Sequence, residues 1–556
     1  MAVVKNKDIK ISFLVRFVEN MKGLTIISIL LILLAGPTLA QQKIKLVEGA
    51  SSLKSGEKDG MRFNKFVRSE EKRLFFIHQN TKIYCDTAVL YKNTNTVEAI
   101  GHVLINDNDS IRITSDSLVY DGNTRIARLR GDVVLTDDSV TLKTNFLDYY
   151  RLENTAHYFN DGSLKDGSNR LTSRKGYYQT LSKVMSFQGD VILINPEYTL
   201  KTDTLVYNTL SKNASTYSDT EVISKNGNSA IAKAGTYNTT QMQTTLAIGK
   251  IETQDYFLEG DVLFFDDISK VYTATQNVKM ISKQNDVIIT GDHAQNNLNT
   301  KITKIYGNSL LRKVVNEDTL FLAADTLISI DDSLEANKRI LAFHNVKIFK
   351  ADLQGVADSM AYFLADSIIH FYNDPILWTG TNQMSADSIN LIIENNTINR
   401  MKLSFNSFVI QRDTLRNFNQ IKGRKMIARF KDNAIETINV YGNGESLFHA
   451  LENDSIMIGM NNILCSNMLI TFRKNTLEDI SFYTNPEAAF YPPHEITDEI
   501  KQLKGFEWRK DLRPTKKEVL TKKEEQPFLP ETDIQANPLE APAKKPTPNR
   551  VLLKTN

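Results

Sequence analysis

The chain has 556 residues, far more than one ordinary hydrophobic core uses, so it is either several domains or a repeating array. Its 67 basic and 65 acidic side chains leave a net charge of +2, a balance that argues for neither nucleic acid nor a membrane surface as partner. Tyr, Thr, Ser, Asn and Asp crowd a composition suited to strands and turns.

The N-terminus reads as an export signal. Met21-Lys22 precedes an apolar run at 23–35, which is shorter than the roughly 20 residues a membrane span needs. Thr38 and Ala40 are the small residues that a signal peptidase reads. Cleavage between Ala40 and Gln41 would remove residues 1–40, counted from a start at Met1 or at Met21. No cysteine follows that site, so no lipoprotein anchor is expected there. Residues 41–73 form a charged, partly extended lead-in.

Strands and turns are expected from Leu74 to about Phe490. Ile111 to Thr144 shows the unit. Asp116-Ser117-Leu118-Val119-Tyr120 runs into a turn at Asp121-Gly122-Asn123, then a second strand bends at Gly131-Asp132-Val133. Asp-Gly favours a two-residue hairpin. Ala127, Leu129, Gly131, Val133 and Leu135 fall on one face, with Arg128, Arg130, Asp132 and Thr136 on the other. The Asp-Ser/Thr element returns at Asp86, Asp203, Asp292, Asp325, Asp358 and Asp387, and ends at Asn467. The bend returns at Gly101-His102-Val103, Gly189-Asp190-Val191, Gly260-Asp261-Val262 and, degenerate, His344-Asn345-Val346. A period near 30 residues means stacked repeats. The pattern is strong over 74–270, polar and then strong again over 271–412, and weaker over 413–491. Residues 492–556 read as a short helix at Glu495–Trp508 followed, from Arg513, by a Pro- and Lys-rich disordered tail.

No catalytic constellation stands out. The carboxylate pairs Asp137-Asp138, Asp266-Asp267 and Asp331-Asp332 fall between strands, where Asp is a turn former. The histidines lack ligand spacing, so no metal and no cofactor is expected. The recurring Asp-Ser/Thr reads as a structural turn or a stacked polar ladder. Arg125, Arg128, Arg130, Arg170, Arg174 and Lys175 are either a solvated face or cations for phosphates and acidic sugars. Cys85 and Cys465 sit in the first and last repeats, too far apart to bridge within one chain. Val103, Ile105, Leu129, Val133, Leu135, Phe187, Val191, Leu193, Leu258, Val262 and Phe264 would stack into one apolar stripe. That stripe is either a closed core or an open groove for acyl chains.

The matches SDSLVYDGNTRIARLRGDVVL, TDTLVY, FQGDVIL, FLEGDVLFF and ADSMAYF, spread over about residues 75–480 of an exported chain, resemble the OstA-like or LptA family of lipopolysaccharide transport proteins. The resemblance implies an all-β fold, an elongated antiparallel β-jellyroll open along one edge. It also implies a periplasmic bridge carrying lipopolysaccharide toward the outer membrane, with the acyl chains inside. Its partners would be other jellyrolls, joined by edge-strand pairing, and the outer-membrane assembly barrel. About thirteen units at roughly 10 Å each would span on the order of 120 Å. The competing readings are an exported structural or adhesive array with a sealed core, and a β-helical enzyme acting on polysaccharide. The latter would need clustered acidic or basic residues on neighbouring coils.

Overall fold

A computed structural model describes residues 42–521, apart from short interior stretches at 108–109, 139, 226, 255, 284–286, 316–317, 395–396, 432–433, 454 and 474–475. The proposed cleavage site at Ala40-Gln41 and the tail beyond 521 lie outside the described residues.

The alternating apolar and polar side chains do what a period of two requires. Among the described residues they form 38 strands in one continuous antiparallel sheet. In the strand Ile126–Asp137, Ala127, Leu129, Val133 and Leu135 are all buried. The sheet starts earlier than expected. Lys45–Glu48 already pairs with Leu74–His78, and Met61–Arg68 with Thr87–Tyr91, so most of the expected lead-in belongs to the sheet.

The bend elements fold this sheet along a line. Ser117 pairs with Arg130 and Thr114 with Val134, leaving one residue too many on the second strand. Gly131 and Asp132 take it up with φ of 80° and 40°, a bulge that turns the strand. A side chain at Gly131 would bring Cβ within 2.4 Å of Asp116 Oδ2, so glycine is required there by both φ and space. Each long strand therefore runs along one wing, turns the corner and continues in the other wing. Elsewhere two short strands replace a long one. Val140–Tyr150 pairs with Gly162–Asp166 on one wing and with Thr155–Tyr158 on the other.

The hairpins differ from the expected two-residue turn. Asp121 pairs with Ile126, leaving a four-residue loop. The Asp121 carboxylate accepts from the N–H of Asn123 (2.8 Å), and Arg125 closes the loop at φ 58°. Asn208, Asn238, Asp266 and Asn297 open later loops in the same way. The side-chain acceptor satisfies the loop N–H groups that a tighter turn would not expose.

The space between the wings is filled in sections. One buried cluster runs from Ile44 to Ala214 and another from Leu311 to Phe472. Between them, among the described residues, Ala232, Leu246, Leu263, Ala274 and Val278 form a smaller buried group.

The C-terminus departs from expectation. Residues 495–508 do not form the expected helix. They run as turns across the outside of the last strands. Ile496, Ile500, Leu503, Phe506 and Trp508 pack on Phe408, Ile410, Leu447 and Met460. The α-helix is Lys516–Leu520, opened by a Thr515–Glu518 capping box. Residues 513–521 are thus ordered rather than part of a disordered tail. Arg513 Nε donates to Gln354 Oε1 at 2.9 Å, and Val519 is buried against Leu310 and Phe321.

Candidate functional site

The interior between the wings is the candidate site. Val103, Ile105, Leu129, Val133, Leu135, Val191 and Leu193 all lie in it, none more than 7 % exposed. Val262 is 40 % exposed and faces out, while Leu263 is fully buried in its place. Phe264 is half-buried, and its neighbour Phe265 packs against the interior group. The phase shifts because the bulge changes strands. Gly260 and Asp261 run straight, and the corner is made opposite them by Gln276 and Asn277, at φ 60° and 51°.

The same shift explains the recurring Asp. From here on the second bulge residue is usually Asn, and it donates to the Asp of a neighbouring strand. The pairs are Asn277 with Asp261 (2.8 Å), Asn308 with Asp292 (2.6 Å), Asn345 with Asp325 (2.6 Å) and Asn406 with Asp387 (3.0 Å). His102 and His344 take this role beside Asp86 and Asp358. The Asp-Ser/Thr element is therefore a polar ladder along the corner.

A second ladder lies at the opposite side, across the notch where the wing margins face each other. Tyr149 donates to Asp107 at 2.9 Å and Tyr207 to Asp166 at 2.8 Å; Tyr178 donates to Asp137. One rung earlier, Tyr120 meets His78 at 2.7 Å. A cation completes each carboxylate rung: Arg151 at 2.7 Å, Lys183 at 2.5 Å and Lys212 at 2.9 Å. The three Asp side chains are almost fully buried, so pairing is what makes them tolerable. Burial is the first cause that pushes the Tyr120 phenol up to about 12, and Tyr149, Tyr178 and Tyr207 move in the same direction.

The ladder then lapses. In the next register Asn195 stands for the Asp, and it serves its own turn by accepting from Glu197 N–H at 2.8 Å. Tyr237 packs edge-on against Tyr198 at 5.2 Å, and Met242 occupies the cation's place in the loop. Beyond this point the inward residues Ala230, Ile251, Leu258, Phe265 and Ala294 are only partly buried. Residues near the corner stay covered while those toward the margins do not, so the wings are splayed here.

In the second half the outer face of one wing is covered as well. Gln420 accepts from Leu503 N–H (2.8 Å) and donates to Lys501 C=O (2.9 Å); Gln383 does the same with Arg509 N–H and Glu507 C=O. Strands such as Ile376–Thr379 are thus buried on both faces. The runs ILWT and FVI carried that signal as unbroken apolar stretches, which mark double-sided burial.

Several of the other sequence candidates have partners within this fold. Asp266 caps its loop, Asp267 accepts from Tyr272 (2.7 Å), and Asp331 meets Lys338. Arg130 is held by Asp148 (2.8 Å) and lies over Phe146, while Arg174 pairs with Asp190. Cys85 and Cys465 are buried and free, and burial pushes the Cys85 thiol up to about 12. Among the described residues no His, Cys, Asp and Glu group has the makings of a metal site, and no helix is long and apolar enough to cross a membrane.

Comparison with known proteins gives a partial match. The family model described as OstA-like protein matches residues 47–203. A solved structure with similarity is that of LptH from Pseudomonas aeruginosa, the LptA-homologous periplasmic component of a lipopolysaccharide transport device. It is 14 % identical over 21 % of this chain and 80 % of its own, with a TM-score of 0.18. At that overlap the fold rests on this chain's own strand pairing. No curated protein matches the chain.

Proposed function

We propose that this chain, an OstA-like protein through residues 47–203, is a non-catalytic periplasmic carrier that passes lipopolysaccharide toward the outer membrane with the acyl chains held between its wings. The observation that carries this reading is the interior itself. Apolar side chains line the fold from Ile44 to Phe472 in three successive buried groups, and the middle group is flanked by half-covered residues such as Leu258 and Phe265. Partly exposed contiguous apolar surface is what a lipid site presents to water. The terminal strands support the bridge role. Among the described residues, Ala50–Lys58 is exposed along its whole length and pairs on one side only, with Met61–Arg68, and Glu487–Tyr491 pairs only with Ile456–Arg473. Such free edges suit strand addition by partner jellyrolls or by an assembly barrel.

The tyrosine–aspartate rungs favour a second reading, a sealed structural array, because they close the notch over residues 78–212. Purification of the exported protein from cells and analysis of co-purifying lipid tests the choice. Carriage predicts bound lipopolysaccharide, reduced when the half-covered Phe265 is changed to Asp. Protein free of lipid, from cells in which it is folded and exported, would leave the structural array as the function.

A further inference from the structure

We infer that the splayed section, built from the strands between Ser229–Ala232 and Val287–Asn297, is the place where the chain holds an anionic amphiphile, with acyl chains against Ile251, Leu258 and Phe265 and the acidic head group at the adjoining loop lysines Lys270 and Lys301. This inference rests on the carrier function proposed above and assigns its site.

Three observations converge on that section. The carboxylate rung lapses at its start, because Asn195 and Met242 replace the aspartate and its cation in one register, and Tyr237, left without that acceptor, packs on Tyr198 instead. Its lining is apolar and half-covered, and it lies between the two large buried clusters along the array. A chain-like ligand can lie along such a trough, whereas a compact one would need a closed cup.

The third observation is charge. Lys183 and Lys212 close their loops at φ 57° and 58°, and each reaches a buried carboxylate of the facing wing. Lys270 and Lys301 hold the same loop position, at φ 60° and 55°, while in their registers Ser224 and Thr253 stand at the strand ends where Asp137 and Asp166 stood, each hydroxyl closing its own turn. Lys270 is 3.8 Å from the exposed loop residue Asp267, and Lys301 donates to Ser333 Oγ at 3.2 Å. Both lysines are exposed at the wing margin. The cations that close the first section therefore stand at the mouth of this one, where an anion can replace the lost Asp. A phosphate on the head group supplies that charge and accepts from both ammonium groups. The trough is about five strand spacings long, roughly 24 Å, enough for an extended acyl chain.

The test uses the full chain with a photoreactive residue at Leu258, Phe265 or Leu135. The probes are purified lipopolysaccharide and uncharged dodecyl maltoside. Adducts of both probes are expected at Leu258 and Phe265, at least tenfold above Leu135. The double variant K270E/K301E should cut the lipopolysaccharide adduct about tenfold and leave the maltoside adduct unchanged. Equal lipopolysaccharide adducts at Leu135 and Phe265 would overturn the localisation while leaving the carrier function standing. An unchanged lipopolysaccharide adduct in K270E/K301E would overturn the head-group assignment. No adduct of either probe at any of the three positions would instead remove the carrier function itself. Lys270→Ala and Lys301→Ala, each tested alone, guard against a folding effect of the reversed charges. Each should lower the lipopolysaccharide adduct in part.

Discussion

Tyr149 donates its hydroxyl to Asp107 at 2.9 Å across a notch, joining two wings of the sheet through residues 42 positions apart in the chain. Asp107 also takes Arg151 Nε at 2.7 Å and the Thr81 hydroxyl at 2.9 Å. With its carboxylate buried, each of these bonds replaces water that folding removed.

Loss of this rung is therefore expected to cost stability unevenly. Tyr149→Phe removes one bond to a carboxylate that keeps two others, and should cost about 1.5 kcal/mol. Asp107→Ala leaves Arg151 without its buried partner, and should cost about 3 kcal/mol or more. Urea unfolding of the two variants measures both, and equal losses would contradict the rung as described.

Stability should fall on mild acidification. Burial, the largest cause in each case, holds His78, His157 and His449 below their ordinary imidazole value. The unfolded chain titrates near about 6.5 and so binds more protons than the folded one just below that pH. Stability is then full above about pH 6.5 and is lost as pH falls through that value toward the folded pKa values. His449→Gln should flatten the slope of unfolding free energy between pH 7 and 5. A slope unchanged in this variant would show that His449 titrates normally.

The shifted phase at the middle of the chain gives a sharp contrast. Leu263 is fully buried and Val262 is 40 % exposed. Leu263→Asp should cost about 4 kcal/mol, by burying an unpaired charge, whereas Val262→Asp should stay within about 0.5 kcal/mol. Thermal unfolding of the pair checks this, and the reverse order would restore the inward face read from the sequence.

The C-terminal belt should loosen when its backbone contacts go. Gln420 is fully buried and makes two bonds to the belt, to Leu503 N–H and to Lys501 C=O. Gln420→Ala should cost about 2 kcal/mol and speed protease cleavage after Lys501 or Lys504. Cleavage at the wild-type rate would mean that the apolar contacts alone hold the belt.

Much of this was legible in the residues. Gly131-Asp132-Val133 announced a bend because glycine with a following Asp tolerates positive φ, and the bend is there. Alternation placed Leu129, Val133 and Leu135 inside correctly. The same Gly-Asp-Val at 260–262 misled, because the corner had moved to Gln276-Asn277, which contains no glycine. Two positive-φ residues can be Gln and Asn when a facing Asp binds the Asn amide, and that partner lies on another strand. The tyrosine–aspartate rungs were hidden by distance, since residues some 42 apart meet only after the sheet folds. Ile496, Ile500 and Leu503 have helical spacing, yet they run as turns because the outer face of the last strands offers them a larger apolar surface than a lone short helix could bury.

The most direct test of the account is photocrosslinking in living cells, with the photoreactive residue at Leu193 or Phe265 facing inward, and at Arg130 or Val262 facing outward. The account predicts a lipopolysaccharide adduct at the inward positions, strongest at Phe265, and none at Arg130 or Val262. Adducts at neither inward position, in folded and exported protein, would contradict it and leave a sealed array.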